Sequence, residues 1–156
     1  MGDNPELEVV NTVLELIKDG GKLTTSGKVV NLLPKGTTMA DFSNWVDPIT
    51  IFEKYEQLSA IFKSELADFT IYISWQYNGQ YIGNFNVSAD GTVDVLSSVD
   101  ISVETLGGYY DDDGVAQLPF NIQVTFHNLT GGTQRVTYKE LARGDGGGMC
   151  VGVAAA

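Results

Sequence analysis

Apolar and polar positions change their spacing partway along the chain. Near the start, Leu7, Val10, Leu14 and Ile17 recur at helical intervals, with Val13 beside them. Asn4-Pro5 ahead of them reads as an N-cap with proline at the first helical position. Gly20-Gly21 behind them reads as a C-terminal glycine stop. From Leu23 to Leu33, short β-branched runs around Ser26-Gly27 predict a small hairpin, and Pro34 to Ser43 reads as a loop. Asp47-Pro48 repeats the cap-and-proline signal. Ile51, Phe52, Tyr55, Leu58, Phe62 and Leu66 then predict an amphipathic helix over 48–66, a lid for a sheet.

From Asp68 onward the period becomes two. Phe69, Ile71, Ile73, Trp75 and Tyr77 alternate with Thr70, Tyr72, Ser74 and Gln76. Asn78-Gly79 is a strong hairpin signal, and Gln80 to Ser88 is the return strand. Ala89-Asp90-Gly91 reads as the next turn, leading into Thr92 to Leu96. Val99, Ile101 and Val103, and then Phe120, Ile122, Val124 and Phe126, continue the alternation, and Thr130-Gly131-Gly132 turns into Thr133 to Lys139. One apolar and one polar side per strand means one face buried and one wet. Helices first and strands together predict an α+β fold, with N-terminal helices packed on one face of an antiparallel, mostly meander β-sheet of about six strands. The predicted domain covers 1–143. Residues 144–156 form a Gly/Ala-rich C-terminal tail, mobile unless Met149 to Val153 docks as a strand.

Composition sharpens this picture. The chain has 156 residues, 43% of them hydrophobic, which is long enough and apolar enough to bury a substantial core. Its lone cysteine, Cys150, excludes an internal disulfide and fits a reducing compartment. The start has neither a basic nor an apolar signal region, and no apolar run is long enough to span a membrane. The expectation is a cytoplasmic protein, with leaderless export left open.

Charge is the strongest compositional feature. Against 20 acids stand 9 bases, a formal charge of −11. Between Lys63 and Arg135 there is no Lys or Arg, while Glu65, Asp68, Asp90, Asp94, Asp100, Glu104 and Asp111 to Asp113 all fall there. Binding phosphate requires cations that replace its counterions, so nucleic acid and anionic membranes are excluded as partners of this half. An acidic face suits a protein partner with a basic surface.

Several chemistries are missing. The only imidazole, His127, falls on the polar side of a strand near its end and reads as an exposed histidine rather than a general base. Cys150 has no evident activating charge apart from Arg143. Two Cys and His residues in total are too few for a zinc site. Asp94, Asp100 and Glu104 are candidates for carboxylate chemistry on the polar sheet face, where separation across a groove decides. Gly146 to Met149, ahead of small apolar residues, is similar to the tail of thiolases, but the cysteine and histidine motifs of that family are missing and no site carries over.

The best candidate site is the loop Gly107 to Gly114. It sets Tyr109 and Tyr110 beside Asp111, Asp112 and Asp113, and tyrosines combine large contact area with little entropy loss. Asp111 and Asp113 make Ca²⁺ the one cofactor to weigh, although the EF-hand spacing is absent and calcium takes 6–8 oxygens; otherwise no cofactor or metal is expected. A second surface is the polar sheet face, with Asn84, Asn86, Ser88, Ser102, Asn121, Gln123 and Thr125 near Tyr72. Few of these strands carry Lys, so edge-to-edge homo-oligomers are a further prospect. Arg143-Gly144-Asp145 spells a tripeptide read by adhesion receptors, a match too short to carry weight.

Two functions follow. The first is a non-catalytic, acidic protein-interaction domain, of inhibitor or assembly-subunit type, that binds a protein partner through Tyr109 to Asp113 and the polar face. The alternative is a small-ligand cup or carboxylate-dependent enzyme, with a pocket between helix and curved sheet lined by Trp75, Phe85 and Phe126.

Overall fold

A computed structural model describes residues 4–8, 12–59, 64–129 and 132–155. The chain is nearly all β: strands make up 70% of it, and the described residues contain no α-helix. The α+β expectation is therefore corrected. The strands are β1 (Thr12–Ser26), β2 (Val30–Leu32), β3 (Ile49–Leu58), β4 (Glu65–Tyr77), β5 (Ile82–Thr105), β6 (Tyr109–Tyr110), β7 (Ala116–Asn128), β8 (Gly132–Arg143) and β9 (Gly148–Ala155). A single 3-10 turn at Met39–Asp41 sits between β2 and β3. None of the described helical segments is long and apolar enough to cross a membrane.

All nine strands form one antiparallel sheet, in the order β3-β4-β5-β7-β8-β9, with β1 and β2 on β5 and β6 on β7. The sheet curls into a half-barrel. Strand β5 makes the curl possible. Along one side it carries β2 at Ile82 and Phe85 and then β1 over Ser88–Glu104; along the other it pairs with β4 at Ile82–Val93 and with β7 at Ser97–Thr105. β1 bends with it. The ladder slips between Asp19 and Gly21, where Gly20 and Gly21 take φ of +46° and +92°, a region closed to most side chains. Just beyond β1 the chain returns to the strand's start: Lys28 N–H donates to Val13 C=O at 3.0 Å.

The first predicted helix fails because its stripe is only partly buried. Leu14 faces the core, yet Ile17 is 74% exposed. Inside and outside alternate along Leu14, Glu15, Leu16 and Ile17, which is period two. Val10 lies outside the described residues. The second predicted helix is β3 and the start of β4, with 60–63 outside the described residues. Ile49, Ile51, Glu53, Tyr55 and Gln57 turn inward while Phe52 is 66% exposed. The expected turn at Ala89 to Gly91 is also absent. Strand β5 runs straight through it, because Gly91 lets the backbone of Asp68 and Phe69 approach where a Cβ would collide. The sheet thus has nine strands rather than the predicted number.

The core fills the inside of the curl. Trp75, Phe69, Phe85 and Phe120 are fully buried, each contributing roughly 1.5–3 kcal/mol of burial. Phe85 on the first half of β5 meets Phe120 on β7 edge-on at 5.0 Å, tying the two halves of the curl together.

Candidate functional site

The loop singled out by sequence is the turn between β6 and β7. Its five candidate residues do different things. Asp111 is spent on the turn itself: Oδ1 accepts from Asp113 N–H and Val115 N–H, both at 2.9 Å. Its Oδ2 accepts from Gln117 Nε2 at 3.3 Å and Arg143 Nη2 at 3.2 Å. Tyr110 folds against the core beside Tyr81, and its hydroxyl donates to Pro5 C=O at 2.6 Å. Burial, then the contact with Tyr81, raises its pKa well above the ordinary tyrosine value. Asp112 and Asp113 are exposed, and Tyr109 is 51% exposed.

The loop is braced from below. Arg143 donates to Asp145 through both Nε and Nη2, at 3.1 and 2.9 Å, while reaching Asp111. The hydrogen bonds from Arg143 hold the Asp145 carboxyl below the usual range, with Gly147 N–H assisting at 3.0 Å. The tripeptide Arg143-Gly144-Asp145 thus closes on itself. Gly144 N–H donates to Ala116 C=O, and Trp75 Nε1–H donates to Arg143 C=O at 3.2 Å, which anchors the brace to the core.

Cross-strand register extends this site. Tyr109 lies opposite Gln117, and Glu104 opposite Asn121, so both are on the outer face of the second half of the curl. Glu15, Asp100, Ser102, Glu104, Gln123 and Thr125 line a shallow groove there, together with Arg135 of β8. Asp94 is not among them; it caps the bend of β5 by accepting from Leu96 N–H at 3.1 Å. The polar face named from sequence is split by the curl. Asn84, Asn86 and Ser88 lie on the first half, with Ser88 opposite Tyr72, and the others lie on the second. His127 is exposed, its Nδ1 2.8 Å from Thr133 Oγ1. The backbone of Cys150 pairs with Glu140 in the last strand pair. The residues assigned to a cup pocket are packed together: Trp75, Phe85 and Phe126 are all buried core.

Sequence reasoning missed a second cluster, at the open side of the curl. There β3 and β8 turn Glu53 and Tyr55, and Tyr138 and Glu140, toward one another. Glu140 is only 2% exposed, and neither of its oxygens meets a donor. Among the described residues, Glu53 is the group placed to share a proton with it. Burial first, then the shared proton and the charge of Glu53, raise the Glu140 pKa to about 8. Tyr55, stacked on Phe69 at 5.0 Å, is raised to about 12 by burial and the neighbouring Tyr138. The signal was present in the sequence: Glu140 falls in the apolar register of Val136, Tyr138 and Ala142, and Glu53 in that of Ile51 and Tyr55. A further acidic trio, Glu56, Glu65 and Asp68, gathers at the β3–β4 end with carboxylate oxygens within 4.8 Å of one another, and Lys54 lies 3.9 Å from Asp68.

Compared with protein-family models, curated proteins and solved structures, the chain finds no match in any of the three.

Proposed function

We propose that the chain is a non-catalytic protein-interaction domain that docks a partner with a basic surface. The observation that carries this is the division of labour in the 109–114 loop. Tyr110 and Asp111 hold the loop in place, while Tyr109, Asp112 and Asp113 project from it. A loop fixed before binding loses little entropy on docking, and an exposed tyrosine beside two carboxylates combines contact area with charge. The outer-face acids Glu15, Asp100 and Glu104 extend the negative field that steers approach. The reading places the protein in the cytoplasm, which suits its single cysteine.

A second copy of the chain is the alternative partner. On the same outer face β8 carries Arg135 and Lys139, opposite Thr125 and Asn121, so an acidic column on β5 and a basic one on β8 flank the uncharged positions of β7. Two copies related by a two-fold axis match such columns.

The test is affinity capture from the source cells with wild type and the Tyr109→Ala/Asp112→Asn/Asp113→Asn variant, followed by association kinetics of the captured protein. The variant loses the partner, and the wild-type on-rate falls steeply with salt. Unchanged capture, or an on-rate indifferent to salt, contradicts the reading. Sedimentation separates the alternative, which requires a dimer that salt dissociates.

A further inference from the structure

Buried polar groups in folded proteins are almost always hydrogen-bonded, and a buried carboxyl that meets no donor except the proton it can share with another carboxyl calls for an explanation. Glu140 is such a group. The charged side chains nearest the mouth of the seam do not serve it. Lys54 lies against Asp68, and Arg135 Nε points to Thr125 Oγ1 at 3.4 Å, both from exposed, outward positions. What faces Glu140 is a second carboxyl, Glu53, with Tyr55 and Tyr138 alongside. A groove of about 260 Å³ runs between the two strands, lined by Tyr55, Gln57, Gln134, Val136 and Tyr138 with Lys54, Glu56 and Arg135 at its rim, and it ends at the tyrosines, one inward position short of Glu53 and Glu140.

We propose that the β3–β8 seam binds a primary ammonium group, held by the carboxylates of Glu140 and Glu53 and flanked by Tyr55 and Tyr138. An ammonium would bring to the two carboxyls three N–H donors and one positive charge. A tetrahedral head on an alkyl stem also suits a passage walled by tyrosines, since aromatic neighbours favour cations and the stem buries apolar surface. A divalent metal fits less well. Calcium takes 6–8 oxygens, whereas the seam offers two carboxyls. When empty, the pair shares one proton. When the ammonium enters, both carboxyls are ionised and that proton leaves to solvent, so charge and atoms balance.

The test is titration of the whole chain with n-butylamine at pH 7 and constant ionic strength, followed by amide NMR, with n-butanol as the uncharged control. Expected are saturable shifts confined to β3 and β8, absent with butanol and at least about tenfold weaker in affinity in Glu140→Gln. Calorimetry in two buffers of different ionisation heat should show proton release. The half-buried Glu53→Gln is the second variant and should weaken binding in the same direction. Equal shifts with butanol, undiminished binding in both variants, or no saturable shift overturns the proposal.

Discussion

The two sides of the curled sheet are built differently. On the β1–β5 side the strands fold back until Lys28 N–H reaches Val13 C=O, and the residues turned inward are Leu14, Leu23 and Val99. On the β3–β8 side no such backbone bond is formed among the described residues, and the inward positions include Glu53, Tyr55, Tyr138 and Glu140. Apolar side chains and paired backbone close one side; ionisable groups line the other. The contrast teaches that burial serves packing on one side and sets ionisable groups into the interior on the other, which is the side expected to respond to pH.

That comparison is open to attack in order of expected effect. Phe120→Ala removes the ring that meets Phe85 and so serves both sides; it should cost about 3–5 kcal/mol in urea unfolding, and a loss under about 1 kcal/mol would mean the halves are not packed together. Gly20→Ala strains only the closed side, since φ is +46° and the new Cβ would sit 2.9 Å from Val95 Cα. A cost of roughly 1–3 kcal/mol is expected, with amide exchange faster at the corner and unchanged on β3. Asp111→Asn weakens the brace to Arg143 and should lower stability by about 1 kcal/mol, loosening the 109–114 loop by NMR while leaving the seam untouched. Tyr109→Ala should leave stability within about 0.5 kcal/mol of wild type while weakening partner binding; a large loss of stability would place Tyr109 in the fold instead of on the docking surface.

Much of the second half was legible because alternation there is clean. Phe69 to Tyr77, Val99 to Val103 and Phe120 to Phe126 are strands as their period requires, and Asn78-Gly79 joins β4 to β5, with Asn78 Oδ1 accepting from Gln80 and Tyr81 N–H. The first half was misread for physical reasons. A left-handed glycine ends a helix or makes a corner, and at Gly20-Gly21 only the pairing with β5 decides between the two. Strand β3 was disguised by its own chemistry. Glu53 and Gln57 occupy inward positions, so the alternation breaks where the seam needs polar groups, and Phe52 on the outside completes a helical spacing by accident. Local rules fail most readily where a site overrides them. For the candidate site, the tyrosines and carboxylates of the loop were visible as composition. The ties that separate Tyr110 and Asp111 from their neighbours were not, because Pro5 and Arg143 lie far away in sequence.

The central claim is that the open side carries a buried carboxyl, Glu140, that keeps its proton in the folded state. A folded pKa of about 8 lies above the ordinary value of 4.5, so the folded chain binds more protons than the unfolded chain between those limits. The stabilisation is complete below about pH 4.5 and is lost as pH rises through about 8. Urea unfolding of wild type and Glu140→Gln from pH 4 to 9 tests this directly. Wild-type stability should fall across that window relative to the variant, whose own profile lacks this component; parallel profiles for the two proteins would contradict the account.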